Sequence, residues 1–504
     1  MLSEPARRAI ALSALDLPDA QQLLLHGCED CACPVSDERV LQDHGTRTLT
    51  ALAEENQWVR AHGIFEAQLT HGHHLLFNPV GSGGVVVLNE IARRIFNHFQ
   101  KPTDLRTVQT AWPGYRTDVE KLFIRLSQLE MINPVGQPIR PAFRNSKVLT
   151  AWLHVTNACN LRCPYCYVNK SAEGMDEHTG RAAVEAVMRS AMINDFPAVK
   201  LKYAGGEASL NHMLLMRLHA YARKLAARNG LQLHATLLSN GVALPPRLVN
   251  ALKAEDIRVM ISLDGLGSHH DAQRRFANGR PSFHLVERTI AQLIEQDYAP
   301  HLSVTITNRN ARGIADVVRF ALERELTFSL NFFRDNDCAS NFPDLRYQEQ
   351  TMISALGDAF AVIEEYLPRW SVLGSILDRG QLLQARQRPC GVGQDYVVIN
   401  QRGEVAKCHM EIEKTLGDVF SEDPLRLVRQ DRTTALNLLV DEKEGCRECT
   451  WRYWCSGGCT VTTFRATGRY DVKSPNCNIY KAIYPQALRL EGLRLLKYGR
   501  ILDA

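Results

Sequence analysis

Two adjoining stretches of the sequence decide the fold: Trp152-Leu153-His154-Val155-Thr156 and Cys159-Asn160-Leu161-Arg162-Cys163-Pro164-Tyr165-Cys166. The first is a short apolar run typical of a buried strand. The second offers three thiolates close together, and three thiolates leave one iron of a 4Fe–4S cube without a protein ligand. That iron can chelate a small molecule through amino and carboxylate groups. Taken alone, the string leaves a zinc site or unrelated thiols as the alternative.

The sequence around and after these stretches alternates between apolar strands and helical patterns. The predicted strands are residues 149–156, 199–204, 233–238, 258–263, 301–306 and 326–332. Helical patterns separate them, among them residues 180–193, 213–228 and 282–296. Continuous apolar strands that alternate with helices predict a parallel sheet, and six such units predict an incomplete barrel. The expected fold class is therefore α/β, with a partial (β/α)6 TIM-like barrel at its centre.

Short polar motifs stand where the later strands end, and active sites of parallel α/β barrels lie at such ends. The motifs are Ala204-Gly205-Gly206-Glu207, Ser239-Asn240-Gly241, Ser262-Leu263-Asp264-Gly265 and His270-Asp271-Ala272-Gln273-Arg274. Each is weak alone, because such strings also occur by chance in turns. Together with the CxxxCxxC string and Tyr165, in this order, they resemble the radical S-adenosylmethionine (radical SAM) superfamily. This ordered context argues against the zinc alternative.

The resemblance implies a cofactor site at these strand ends. Gly205, Gly206 and Glu207 would hold the amino group of S-adenosylmethionine. Arg274 would pair with the methionine carboxylate, a task suited to a guanidinium fork. The other implied cofactor contacts are Tyr165, Ser239, Asn240 and Ser262, and the implied cluster ligands are Cys159, Cys163 and Cys166. The implied chemistry is electron transfer from the cluster to the sulfonium, release of a 5′-deoxyadenosyl radical and removal of a hydrogen atom from a substrate.

Seven more cysteines crowd the C-terminal region. They are Cys390, Cys408, Cys446, Cys449, Cys455, Cys459 and Cys477. Their spacing resembles the SPASM extension of peptide- and protein-modifying radical enzymes, which binds two auxiliary 4Fe–4S clusters. The resemblance implies an outer cluster on Cys446, Cys449, Cys455 and Cys477, and an inner cluster on Cys390, Cys408 and Cys459. A zinc ribbon is the alternative, because CxxC pairs often bind zinc.

The inner set has one cysteine fewer than the outer set. Some SPASM proteins supply a further cysteine soon after the first, but residues 391–399 contain none. The inner cluster would then keep an open iron for a substrate group, unless another side chain or water fills that position. Anaerobic sulfatase maturases place a proposed catalytic aspartate directly after the cysteine that matches Cys408, where this sequence has His409. His409 is the candidate catalytic base, with a structural histidine as the alternative.

The region before the barrel predicts a small winged-helix-like module, with strands at 74–79 and 84–88 and helices at 90–99 and 116–131. This pattern resembles the PqqD-like element of peptide-modifying radical enzymes, which binds a leader peptide as an added strand. A DNA-binding winged helix is the alternative, but the last helix lacks a concentrated basic face. Upstream, Cys28, Cys31 and Cys33 follow His26 and could bind metal or be chance thiols.

These patterns predict a plan of six segments. It has an N-terminal helical segment of uncertain role at 1–62, the PqqD-like module at 63–140, the radical SAM barrel at 148–337, a helical connector at 338–388, the cysteine-rich SPASM iron–sulfur domain at 389–480 and a C-terminal helix at 481–504.

Composition narrows the cellular setting. Hydrophobic residues make up 45%, charged residues 23%, and the formal net charge is +4. That charge is too small to indicate nucleic acid, no apolar run is long enough to span a bilayer, and the start lacks a signal-peptide pattern. We therefore expect a cytoplasmic protein with neither nucleic acid nor a membrane as partner. In a reducing cytosol, clustered cysteines indicate metal binding or chemistry.

The first functional hypothesis is a peptide maturase that installs a thioether or carbon–carbon cross-link in a ribosomally made peptide or small protein. Its expected partners are the precursor peptide and a reducing electron donor such as a flavodoxin or ferredoxin. A second hypothesis is sulfatase-maturase-like oxidation of a folded protein, or modification of a small metabolite. A third, from another class, is a metal-dependent DNA-binding winged-helix regulator.

Overall fold

The computed structural model describes residues 8–13, 56–81, 84–143, 145–374 and 378–499. The strands in these ranges are β1 (Ala11–Leu12), β2 (Trp58–Arg60), β3 (Phe65–Gln68), β4 (His74–Phe77), β5 (Val85–Leu88), β6 (Ile132–Pro134), β7 (Val148–His154), β8 (Ala198–Ala204), β9 (Gln232–Ser239), β10 (Ile257–Ser262), β11 (His301–Ile306), β12 (Phe328–Phe332), β13 (Tyr396–Ile399), β14 (Glu404–Ala406) and β15 (Thr415–Asp418).

The α-helices in the same ranges are α1 (Glu90–Asn97), α2 (Leu105–Ala111), α3 (Arg116–Gln128), α4 (Glu177–Ile193), α5 (His212–Arg228), α6 (Pro246–Ala254), α7 (Ser268–Asp271), α8 (Phe283–Glu295), α9 (Ile314–Glu323), α10 (Glu349–Tyr366), α11 (Pro424–Gln430), α12 (Arg452–Cys455), α13 (Thr460–Thr467) and α14 (Cys477–Tyr498). Among the described residues, we find no helix that combines the length and hydropathy needed to cross a bilayer.

Strands β7 to β12 form the central sheet and stand in chain order, each parallel to its neighbour. Helices follow the strands, as in a (β/α) barrel. β7 is buried at every position after Val148, which is typical of a parallel strand covered on both faces. The mostly parallel sheet confirms the predicted α/β fold class and fits a partial TIM-like barrel.

Three strands from the cysteine-rich region extend this sheet. β13 pairs in parallel with β7, with Tyr396 opposite Thr150 and Ile399 opposite Leu153. β14 and β15 continue the sheet in antiparallel pairing. The strand that leads into the first cysteine loop therefore lies between β8 and β13, and the C-terminal cysteine region is hydrogen-bonded directly to the barrel.

The N-terminal module contains two small antiparallel sheets. One has the order β1-β5-β4-β3, and the other pairs β2 with β6. Side chains from β4, β5, α1 and α3 fill a separate apolar core beneath them. The two strands and two helices predicted from the sequence are present as β4, β5, α1 and α3. The module also includes β2, which lies before its predicted start at residue 63.

The sequence predicts a helical segment at 1–62, but the parts of this segment that the structure describes contain strands. Ala11–Leu12 and Trp58–Arg60 are strands, because each finds a partner strand in the module. Tertiary pairing of this kind overrides local helical preference. Cys28, Cys31 and Cys33 lie outside the described residues. The predicted connector contains one α-helix, α10, and the C-terminal helix α14 begins at Cys477 rather than at residue 481.

The module packs against the C-terminal part of the chain. The ring of Phe77 meets that of Trp454 edge-on at 4.8 Å, and the Trp454 indole donates to the carbonyl of Pro79 at 2.9 Å. Gly492 of α14 lies so close to the module that a Cβ there would approach side-chain atoms of Leu75 and Leu69 to 2.7 and 2.8 Å. One apolar core therefore runs from the module through α14 into the barrel.

A buried ion pair anchors α14, and its loss should destabilise the fold. Glu491 accepts from Arg494 Nε at 2.9 Å and from the Ser371 hydroxyl at 3.0 Å, and both charged side chains are almost fully buried. Glu491→Ala leaves the guanidinium unpaired, so we predict a loss of about 3–5 kcal/mol in the free energy of unfolding. Urea denaturation of the apoprotein measures it.

The matched control is Arg489→Ala on the same helix. Its partner is Glu364, and both side chains are about two-fifths exposed, so the loss should stay near or below about 1 kcal/mol. Equal losses in the two variants would contradict the anchoring role of Glu491.

Candidate active site

The loop that follows β7 is fastened to the end of β8 by main-chain hydrogen bonds. Gly206 N donates to Thr156 O at 2.7 Å, and Glu207 N donates to Ala158 O at 2.8 Å. The two segments approach so closely that a Cβ at Gly205 would lie 2.5 Å from Thr156 O, and one at Gly206 would lie 2.4 Å from Ala158 O. Both positions therefore require glycine, and the Gly-Gly pair fixes where the cysteine loop begins.

Glu207 ties three strand ends together. Its Oε1 accepts from Ser209 N at 3.1 Å and from the Ser239 hydroxyl at 2.9 Å, and its Oε2 accepts from Asn240 N at 2.6 Å. The carboxylate is 2% exposed, and burial raises its pKa although these donors lower it. Glu207 therefore positions the loop after β9. A direct role toward the cofactor's amino group stays a prediction.

The three thiols of the first loop share a positively charged neighbour. Burial raises the pKa of Cys159, and it raises the pKa of Cys163 to about 12. Burial alone would lower the pKa of Lys170, but the neighbouring thiolates of Cys166, Cys163 and Cys159 raise it. Leu161 N donates to Cys159 Sγ at 3.4 Å. An ammonium and an N–H beside the sulfurs favour thiolates, the form that binds iron.

Asp264 follows β10 and is a buried carboxylate on which several polar side chains converge. Its Oδ2 accepts from Tyr165 Oη at 2.5 Å, from Arg274 Nε at 2.7 Å and from Gln273 Nε2 at 3.1 Å, and its Oδ1 accepts from Thr305 N at 2.8 Å. The carboxylate is fully buried. The Arg274 guanidinium carbon lies 5.5 Å from the Tyr165 ring centre. Asp264 therefore sets the orientation of both Tyr165 and Arg274.

A cavity of about 220 Å³ opens beside these residues. The predicted site residues in its lining are Cys159, Cys163, Tyr165, Cys166, Gly205, Gly206, Glu207, Ser239, Asn240, Ser262, Arg274 and His409. All the residues predicted for the first cluster, for the cofactor and for catalysis thus surround one space. Burial alone would lower the pKa of Arg274, but Asp264 raises it, so a fixed positive charge faces the cavity.

His409 enters this cavity from the C-terminal region. Its ring stacks on Trp152 at 4.6 Å, with 14° between the planes, and its Nδ1 is 3.0 Å from Tyr396 Oη. Trp152 and Tyr396 belong to the paired strands β7 and β13. The pairing of these strands therefore positions the imidazole.

The inner thiol group lies just behind the cavity wall. Burial raises the pKa of Cys408, and the thiols of Cys459 and Cys390 raise it further. Burial would also raise the pKa of Cys459, but the guanidinium groups of Arg334 and Arg379 bring it below its usual value. Both arginines line the cavity. The predicted inner set is thus brought together, and two arginines of the cavity lining act on one of its thiols.

The outer thiol group forms a second cluster of side chains. Burial raises the pKa of Cys455 to about 12, and the thiols of Cys446, Cys449 and Cys477 contribute to the rise. The buried ammonium of Lys443 donates to Ser456 O at 3.2 Å. It interacts with thiols of both groups, because Cys446 and Cys390 both act on its pKa, which burial lowers.

The donor sets and the cavity fit iron–sulfur clusters and a small zwitterionic cofactor. Three thiols beside an open cavity suit a cube with one free iron, and four thiols away from it suit a fully ligated cube. The two glycines form a cradle that any Cβ would fill, and Arg274 supplies a guanidinium for a carboxylate.

Comparison with known proteins agrees with this geometry. Residues 153–321 match the model of the Radical SAM superfamily. The protein is a radical SAM enzyme. Enzymes of this superfamily use a 4Fe–4S cluster and S-adenosylmethionine, and the cysteine-rich C-terminus fits auxiliary clusters. The enzyme domain favours the two enzyme hypotheses over that of a DNA-binding regulator.

Individual relatives cover different shares of this radical SAM chain. An uncharacterized protein of Methanocaldococcus jannaschii is 29% identical over 282 residues, 55% of this chain and 90% of the relative. The sporulation killing factor maturation protein SkfB of Bacillus subtilis is 27% identical over 171 residues, 34% of this chain and 38% of the relative. Further relatives include anaerobic sulfatase-maturating enzymes.

A solved structure shows the shared fold. Native anSMEcpe with bound AdoMet and the Cp18Cys peptide superposes with a TM-score of 0.57 and 20% identity, and the match covers 69% of this chain and 99% of that one. At this identity the likeness shows the fold alone.

Sequence reasoning missed five charged residues around the cavity and the thiol groups. Asp264 was visible only as part of a strand-end motif, and nothing local indicates that Tyr165 and Arg274 converge on it. Lys170 and Lys443 follow or precede cysteines closely in sequence, and that proximity is the signal that could have found them. Arg334 and Arg379 reach the cavity from distant segments and carry no such signal.

Removing the negative charge of Asp264 should weaken the binding of S-adenosylmethionine. Asp264→Asn keeps the shape but turns one acceptor oxygen into a donor that faces Arg274 and Tyr165. We predict about tenfold or greater loss of affinity for S-adenosylmethionine, equivalent to at least about 1.4 kcal/mol. Equilibrium dialysis on the reconstituted protein measures this affinity, and the iron content of the variant should be unchanged.

The control is Asp344→Asn. Asp344 pairs with Arg309 at the surface, so this variant should bind S-adenosylmethionine as the parent does. Equal loss of affinity in both variants would refute the role of Asp264.

Proposed function

We propose that this radical SAM enzyme is a peptide maturase that forms a thioether or carbon–carbon cross-link in a ribosomally made peptide or small protein. The observation that carries the proposal is the shared cavity. The Cys159–Cys166 loop borders it directly, and Arg334 and Arg379 link it to the inner thiol group. A side chain held there would lie between two redox centres, which is what a net oxidation of the substrate needs.

Family membership supports the coarser part of this proposal. The relatives include the sporulation killing factor maturation protein SkfB, and the fold matches that of a protein solved with a bound peptide. The N-terminal module supplies a β-sheet of the kind that can accept an extended peptide. The cross-link itself is our inference from the cavity and from these relatives.

When bound, the clusters and S-adenosylmethionine supply the redox chemistry: a hydrogen atom and an electron leave the substrate, and a proton accompanies them as the cross-link forms. We assign that proton to His409. For its Nε2 to accept, Nδ1–H must donate to Tyr396 Oη, and the 3.0 Å separation permits this tautomer. Stacking on Trp152 holds the ring in place.

The charged lining suits a peptide substrate. Lys170, Arg334 and Arg379 surround the cavity with positive charge, which favours main-chain carbonyls and acidic side chains over cationic groups. The electron donor that we propose is a small acidic carrier such as a flavodoxin or ferredoxin, and the setting that we propose is the cytoplasm, where thiols stay reduced.

Co-expression with a short reading frame that neighbours the gene tests the proposal. The parent enzyme should remove one hydrogen pair from the peptide, measured by intact mass and by fragment ions that span a new cross-link. Cys163→Ala should abolish 5′-deoxyadenosine formation and the mass change, because the first cluster loses a ligand. Cys449→Ala should keep some cofactor cleavage but form no product.

Two results would contradict the proposal. One is full 5′-deoxyadenosine formation in the Cys163→Ala variant. The other is conversion of a seryl or cysteinyl side chain to an aldehyde without any cross-link, which would move the enzyme to the sulfatase-maturase-like alternative.

A further inference from the structure

The first sheet of the N-terminal module has an edge that the chain itself covers. Strand β1 pairs antiparallel with β5, with Ala11 opposite Leu88 and Leu12 opposite Val87. Without β1, the outer edge of β5 would present unpaired main-chain groups between the sheet and α3. An exposed edge of this kind accepts an extended segment as an added strand.

The module forms hydrogen bonds mainly with the main chain of residues 8–13. Asn89 makes three contacts: its Nδ2 donates to Arg8 O at 2.7 Å, its Oδ1 accepts from Ile10 N at 3.1 Å, and its own N donates to Ile10 O at 3.1 Å. From α3, Asp118 Oδ2 accepts from Ala9 N at 3.2 Å. Such contacts recognise an extended backbone of many sequences.

Side chains of the segment alternate between two apolar surroundings. Ile10 and Leu12 pack into the large core shared with the barrel and α14, and Leu12 is only 4% exposed. Ala9 and Ala11 face the smaller core of the module. The edge therefore selects an extended strand in which small residues alternate with larger aliphatic ones. Arg125 adds a hydrogen bond to the Ser13 hydroxyl at 3.2 Å.

We infer that residues 8–13 are a tethered strand that occupies the β5 edge until an incoming peptide displaces them. The partner is an extended peptide with the same alternation of small and aliphatic residues. The inference rests on the proposed function, because it supplies the recognition step of a peptide maturase. It goes further by naming the sequence pattern and the built-in competitor.

The tethered strand is short enough to be exchanged. Only Ala11 and Leu12 belong to the ladder with β5, so the contacts to Asn89, Asp118 and Arg125 make up most of what opposes release. A tether still gives the segment a high effective concentration, which weakens the apparent affinity of any free peptide. An incoming peptide must therefore bind the β5 edge tightly enough to displace residues 8–13.

The test uses a fluorescein-labelled peptide with the sequence of residues 6–15 and the full-length chain. Ile10→Asp combined with Leu12→Asp in the protein should weaken the tethered strand and tighten peptide binding about tenfold in fluorescence anisotropy. The matched control is Arg8→Ala, since that side chain is exposed, and it should bind like the parent. A peptide that carries both aspartates should not bind.

Two further measurements guard against misfolding of the variant. Asn89→Asp keeps the acceptor that caps α1 at Ala92 N but loses the donor to Arg8 O, so it should weaken peptide binding several-fold in the double-aspartate background. In the unmodified chain, excess peptide should increase hydrogen exchange at residues 8–13 and leave β5 protected.

Equal affinity of the parent and the double-aspartate variant, or residues 8–13 that stay protected under saturating peptide, would overturn the inference. Its failure is distinct from that of the proposed function. Peptide exchange at the β5 edge without any cross-linked product removes the proposed function alone, whereas cross-linking with no exchange at this edge removes the inference alone.

Discussion

The parallel ladder between β7 and β13 is the interaction on which the rest of the structure depends. It joins the strand that leads into the Cys159–Cys166 loop to the C-terminal region that holds the seven cysteines from Cys390 to Cys477. Through that ladder, Trp152 and Tyr396 both come into contact with His409. The sheet therefore joins the cofactor site directly to the start of the C-terminal cysteine region.

The two carboxylates of the site are fixed in position because both are buried and both are hydrogen-bonded. Glu207 and Asp264 are both buried, yet they differ in their partners: Glu207 accepts from a hydroxyl and two main-chain N–H groups, and Asp264 accepts from a guanidinium and a phenol. An unpaired charge in either place would be costly, so each carboxylate keeps its neighbours fixed. This preorganised wall can orient a cofactor without rearrangement when it binds.

Local patterns in the sequence were sufficient for the barrel and for the cysteines. The strand periodicity placed β7 to β12 close to their observed limits, because buried parallel strands carry continuous apolar runs. Pairings between distant segments were not predictable: β13 against β7, β1 against β5, and the convergence of Tyr165, Arg274 and Gln273 on Asp264. Each depends on contacts over a long sequence separation, which neither spacing nor hydropathy encodes. The helical interpretation of residues 1–62 failed for this reason at Ala11–Leu12.

Iron and acid-labile sulfide per chain, measured after anaerobic reconstitution, test the central claim most directly. Three cubane clusters require about twelve irons and about twelve sulfides per chain, and a variant with Cys159, Cys163 and Cys166 all changed to Ala should hold about eight of each. The same iron content in the variant as in the parent, or stoichiometric zinc without sulfide, would contradict the assignment of a radical SAM cluster to the loop after β7.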